Sequence, residues 1–92
     1  MGDAIALHVT VHGHVQGVWY RDWTVEKARD LGLSGWVRNQ DDGTVAAMLQ
    51  GPPVNVRQMI AQMHDGPPNA RVEQVAEQAC EADEALNGFH RR

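Results

Sequence analysis

Residues 35–51 read Gly-Trp-Val-Arg-Asn-Gln-Asp-Asp-Gly-Thr-Val-Ala-Ala-Met-Leu-Gln-Gly, and the fold follows from what this stretch does. Trp36-Val37-Arg38-Asn39 and residues 44–50 are two short strands. Between them, Gln40-Asp41-Asp42-Gly43 carries hairpin chemistry, because an Asp-Gly pair accepts the positive φ of a tight reversal. On the N-terminal side, residues 22–31 predict a helix. Asp22 suits its positive end, Ala28 and Leu31 share a face, and Gly32 supplies a left-handed stop. On the C-terminal side, Gly51-Pro52-Pro53 ends the hairpin and opens a second helix, since proline is tolerated in a first turn. Val56, Met59, Ile60 and Met63 sit at i, i+3, i+4 and i+7, an apolar stripe that packs as core. Gly66-Pro67-Pro68 stops it. Farther out, Leu7, Val9, Val11 and Val15 alternate with His8, Thr10, His12 and His14, the period of a half-buried strand. Val72 and Val75 mark a fourth strand. Leu86 and Phe89 give only a faint signal for a fifth.

The order is β-α-β-β-α-β. This is α+β, a ferredoxin-like split βαβ sandwich: an antiparallel sheet with two helices on one face. The other face is then open to solvent, which fits the polar even positions of the first strand.

Composition sets the outer limits. Ninety-two residues, 42 % hydrophobic and 22 % charged, predict a single globular domain over residues 1–92. No apolar run approaches the roughly 20 residues that span a bilayer, so no membrane partner is expected. The opening MGDAIALHV lacks the basic and long apolar regions of a secretory signal. Ala6 stands where a myristoylation signal at Gly2 needs Ser or Thr. The one cysteine, Cys80, excludes an internal disulfide and a thiolate zinc site, and its lack of a basic neighbour argues against an activated thiol. These readings together predict a cytoplasmic protein. The net charge of −4 disfavours a nucleic-acid partner.

Two segments have the residue types of a site. Gly13-His14-Val15-Gln16-Gly17-Val18-Trp19-Tyr20-Arg21 lies between a strand and a helix. A glycine-bounded loop there turns several N–H groups inward, and such a nest beside a helix N-terminus attracts an anion. The spacing matches neither of the familiar glycine-rich nucleotide loops, and by itself a loop with two glycines also reads as a plain turn. Arg21 adds weight. The helix dipole opposes a cation at this end, whereas a guanidinium fork beside a nest makes a phosphate site. A solvated surface arginine is the plainer reading. In the second segment Asn39 ends a strand before a turn, a place asparagine favours anyway. Its amide also both donates and accepts, so it orients a water without deprotonating it.

The two segments resemble the signatures of the acylphosphatase family. Those run Gly-x-Val-Gln-Gly-Val-x-Phe-Arg and Gly-aromatic-Val-basic-Asn-three residues-Gly-x-Val, with a later glycine. This chain has GHVQGVWYR, GWVRNQDDGTV and Gly51. Ala28, Leu31-Gly32-Leu33 and Gly66-Pro67 extend the likeness over about residues 7–75. The resemblance implies a hydrolase that cleaves the carboxyl–phosphate anhydride of acyl phosphates without metal or other cofactor. It implies that Arg21 is the phosphate-binding catalytic arginine and that Asn39 orients the attacking water. It implies that the amides of Val15, Gln16, Gly17, Val18, Trp19 and Tyr20 hold the phosphate. The implied partner is a small-molecule substrate, and the chain is expected to act as a monomer. Tyr20 departs from the usual Phe, and its hydroxyl needs a partner if buried. His14 stands where a basic residue is common, which would make the rim charge pH-dependent. The C-terminal part is dissimilar.

Other features read as structural. His8, His12 and His14 share a strand face, but residues four apart on a strand are roughly 13 Å apart, too far for one metal ion. Asp41 and Asp42 form a turn. The acids from Glu77 to Glu84 read as a solvated connection, and Trp23 and Trp36 as packing groups. The alternatives to the enzyme are a non-catalytic acyl or carbamoyl phosphate-binding module and an RNA-recognition domain. The last needs stacking aromatics on a central strand, and Thr44–Gly51 has none.

Overall fold

The computed structural model describes residues 4–92, so the expectation about Gly2 lies outside the described residues. The chain forms β1 (Ile5–His14), α1 (Tyr20–Asp30), β2 (Ser34–Asn39), β3 (Val45–Gly51), α2 (Pro53–Asp65), β4 (Arg71–Cys80) and β5 (Phe89–Arg91). One sheet runs in the order β4-β1-β3-β2-β5. The first four strands pair antiparallel, as expected of the ferredoxin-like sandwich. β5 joins the edge parallel to β2, so the sheet is mixed rather than antiparallel throughout.

The core lies between sheet and helices. Leu7, Val9 and Val11 of β1 point into it beside Val45, Ala47 and Leu49 of β3 and Val37 of β2. Val56, Met59, Ile60 and Met63 enter from α2, all at most 5 % exposed. The outer sheet face carries His8, Thr10 and His12, half-exposed. Trp36 belongs to this face and not to the core: the Arg38 and Arg92 guanidinium groups lie 5.0 and 4.9 Å from its ring centroid.

β4 differs from expectation. It runs to Cys80, so Glu77 is in a strand and not in a connection. This half of β4 is held by backbone pairing, Val9 opposite Glu77 and Ala6 opposite Cys80. It has no polar–apolar alternation because it is an edge strand with most side chains exposed. The register also shifts between His12, opposite Gln74, and Gly13, opposite Val72. Glu73 is therefore an extra residue, a bulge. It lets Val72 and Val75, three apart, pack on the same core.

The faint signal at Phe89 marks a real strand. The Phe89 ring is fully buried against Gly35, where a Cβ would stand 3.0 Å from ring atom Cε2. Three side chains of α1 hold this segment. Arg29 Nε donates to the Phe89 carbonyl (3.1 Å), Arg21 Nη1 donates to the Arg92 carbonyl (3.2 Å), and Asp22 pairs with Arg91 (3.0 Å).

Candidate active site

The site grows from the way β1 becomes α1. At Gly13, φ is +130° and any Cβ would collide with the Arg71 carbonyl oxygen. Beyond it, Gly17 and Trp19 both have positive φ (74° and 70°) while Val18 between them does not. Such alternation turns consecutive N–H groups to one side of the chain. The helix starts at Tyr20, two residues before the sequence places it, which brings Arg21 as well as Asp22 into the first turn. Trp19 is the N-cap, and no side chain caps the helix. The first-turn N–H groups thus keep their hydrogen-bonding capacity where the helix dipole is positive.

A carboxamide ties this loop to the β2–β3 turn. Gln16 Nε2 donates to the carbonyls of Gln40 (2.7 Å) and Thr44 (2.9 Å). The turn is internally braced. Asp42 Oδ1 accepts from the Thr44 amide (3.0 Å) and hydroxyl (2.6 Å), and Gln40 Nε2 donates to that hydroxyl (2.9 Å). The Thr44 hydroxyl, followed by its amide, holds the Asp42 carboxyl below its ordinary pKa. Asp42 is therefore a turn former, as its sequence context suggests. Asn39 is the residue just before this braced turn, at the end of β2.

A cavity of about 110 Å³ opens between loop and turn, roomy enough for more than one water-sized group. Val15, Gly17, Trp19, Tyr20, Arg21 and Asn39 line it. The structure thus brings Arg21 and Asn39 together on one cavity. Gln16 and Val18 are not on the wall. The Gln16 side chain is committed to the turn, and Val18 packs against the core. Asp22 and Arg91 complete the lining. Sequence reasoning assigns neither to the site. Asp22 reads as a helix-dipole residue, and Arg91 belongs to a strand with almost no local signal.

Tyr20 has its hydroxyl partner. The ring is 1 % exposed, and the hydroxyl donates to the Met63 carbonyl at 2.8 Å. Burial pushes the phenol well above its ordinary pKa of 10.0. The hydroxyl is therefore a fixed neutral donor to α2. Among the described residues, no three His, Cys, Asp or Glu side chains converge as a metal site.

Comparison with known proteins bears on the whole chain. The acylphosphatase family model matches residues 7–91, well past the 7–75 that the motifs cover and on through β5. An acylphosphatase of Rhodospirillum rubrum is 55 % identical over 69 residues, 75 % of this chain and 76 % of that one. One from Natronomonas pharaonis is 47 % identical over 92 residues, 100 % of this chain and 99 % of that one. The structure of an acylphosphatase from Coxiella burnetii superposes with a TM-score of 0.93 at 32 % identity, covering 98 % of this chain and 94 % of that one. This chain belongs to the acylphosphatase family.

Proposed function

We propose that the chain hydrolyses acyl phosphates to a carboxylate and inorganic phosphate, with Arg21 and Asn39 acting from opposite segments of one cavity. One observation carries this reading: the loop with left-handed Gly17 and Trp19, Arg21 and Asn39 all line one cavity. The uncapped N–H groups and Arg21 hold the phosphoryl oxygens. Arg21 spends only one long bond on the Arg92 carbonyl, and a guanidinium has five N–H donors. The Asn39 carboxamide holds a water beside the phosphorus.

The chemistry asks little of the protein. The water oxygen bonds to phosphorus as the bond from phosphorus to the acyl oxygen breaks. The leaving carboxylate has a conjugate acid like a Glu side chain, with pKa about 4.3, so no residue has to protonate it at neutral pH. The water's proton ends on the product phosphate. What remains is positioning and charge stabilisation, the main demands of phosphoryl transfer. An alkoxide leaving group would need a proton donor, and the two candidates in this lining are engaged elsewhere: the Tyr20 hydroxyl donates to the Met63 carbonyl, and the Asp22 carboxylate is paired with Arg91. We also propose that the chain acts as a single-domain monomer in the cytoplasm, a reading supported by its composition and its lone, unpaired Cys80.

The test is hydrolysis of acetyl phosphate and benzoyl phosphate in the presence of EDTA. Turnover that survives chelation is the expected result. Phosphate binding without turnover would point instead to the non-catalytic module.

A further inference from the structure

Trp19 is anomalous on three counts. The residue is 61 % exposed, and it and Val54 are the exposed large hydrophobics among the described residues. It is the described non-glycine residue with positive φ, a conformation that glycine adopts without penalty. It also occupies an N-cap, where Ser, Thr, Asp or Asn would supply a bond to the first turn and an indole supplies none. Glycine or a capping residue would serve the backbone better at this position. The other two tryptophans have packing duties: Trp23 lies against Tyr20, ring centroids 5.4 Å apart, and Trp36 carries the guanidinium groups of Arg38 and Arg92 over its ring. The Trp19 indole faces solvent and lines the same cavity as Arg21 and Asn39.

The substrate has two ends. The phosphoryl end fits a cavity of about 110 Å³ whose lining includes Arg21 and Asn39. The acyl end has to project from it, past the residues at its rim. We propose that the Trp19 indole is the platform for the acyl group, and that it biases the enzyme toward acyl phosphates with a flat apolar acyl group, aromatic ones above all. The proposal rests on the reading of the cavity as the phosphoryl site. An aromatic acyl group stacks on the indole face and removes apolar surface of both from water, whereas an acetyl group is too small to cover it. The indole thus acts on substrate choice, through contacts that grow with the acyl group, and not on the phosphorus.

The test is a ratio of kcat/KM for benzoyl phosphate over acetyl phosphate, measured on the full chain and on Trp19→Gly and Trp19→Phe. Any change in the shared phosphoryl step cancels in the ratio. Glycine accepts the backbone conformation, so that variant folds. The expected result is a ratio lowered about tenfold in Trp19→Gly, the equivalent of 1.4 kcal/mol, and largely restored in Trp19→Phe. Equal losses for both substrates, or no change, would overturn the platform while leaving the catalytic reading intact. No turnover of either substrate by the unmodified chain would sink the catalytic reading, and the platform with it.

Discussion

The two helices start in opposite ways. Each leaves a strand and neither has a side-chain cap. α2 is entered from Pro52 at φ −56°, with Pro53 as its first residue. Proline carries no N–H, so the donors a helix start leaves bare are fewer here. α1 is entered through a loop with left-handed Gly17 and Trp19, and its second residue is Arg21. At the matching second position of α2 stands the neutral Val54. A left-handed non-glycine residue costs about 1–2 kcal/mol, and a cation at this helix end opposes the dipole; the missing cap is common to both. The difference teaches where the fold gives up local stability. It does so at the helix start whose first residues line a cavity, and not at the one that merely begins a helix.

The comparison breaks most easily at Arg21. Arg21→Ala is expected to lower kcat/KM for acetyl phosphate by roughly 10³-fold, because a donor aimed at developing transition-state charge is worth up to about 4 kcal/mol. Its thermal stability should hold or rise slightly, since the opposed charge is gone. The mirror variant is Val54→Arg. It should lose a few tenths of a kcal/mol through the same dipole and acquire no phosphate binding at α2. Retained activity in the first variant, or phosphate bound at α2 in the second, would end the contrast between the two starts.

Asn39→Ala sharpens it from the facing segment. Removing the carboxamide should lower kcat by roughly 10²-fold, the lower end of the effect of one oriented donor. Competitive inhibition by inorganic phosphate should persist, because the loop and Arg21 are untouched. Kinetics in which phosphate affinity falls together with kcat would make Asn39 a phosphate ligand and not a water holder.

How much of this was legible follows the range of the contacts. Arg21 and Asn39 stand out because their two segments resemble the acylphosphatase signatures; read alone, the glycines and the Asp-Gly turn beside them leave a surface arginine and a turn asparagine open. The helices are legible from local pattern: α2 buries Val56, Met59, Ile60 and Met63 in one stripe. What escapes is held by distant partners. Arg91 reaches the cavity through Asp22, 69 residues away. The Gln16 side chain is committed to the β2–β3 turn by carbonyls 24 and 28 residues on. β5 is three residues long, and it exists because Phe89 fills the space that Gly35 leaves. Val72 and Val75 share a face only because Glu73 bulges, a break in the period-two rule that the pattern of apolar residues does not announce.

The smallest expected effect links the two helices directly. Tyr20 is the first residue of α1, and its hydroxyl reaches the Met63 carbonyl near the end of α2. That carbonyl is among the last four of its helix, which have no partner within it. The Gly66 amide takes the Gln62 carbonyl, and Tyr20 satisfies Met63. Tyr20→Phe keeps the ring and strands a buried acceptor, so denaturant melts at neutral pH should show a loss of about 1–2 kcal/mol. The pH dependence separates this from a packing effect. Burial raises the phenol pKa above its ordinary 10.0 in the folded chain. A raised folded pKa adds stability that is fully present below the unfolded value of 10.0 and is lost progressively as pH rises above it, because the unfolded chain releases the proton first. The unmodified protein should therefore lose stability faster above that pH than Tyr20→Phe does, and the two curves should converge. The chain has a single tyrosine, so phenolate absorbance follows this group alone. Parallel stability curves above pH 10.0, or phenolate appearing at that ordinary value while the fold persists, would show that the hydroxyl is not held between the helices.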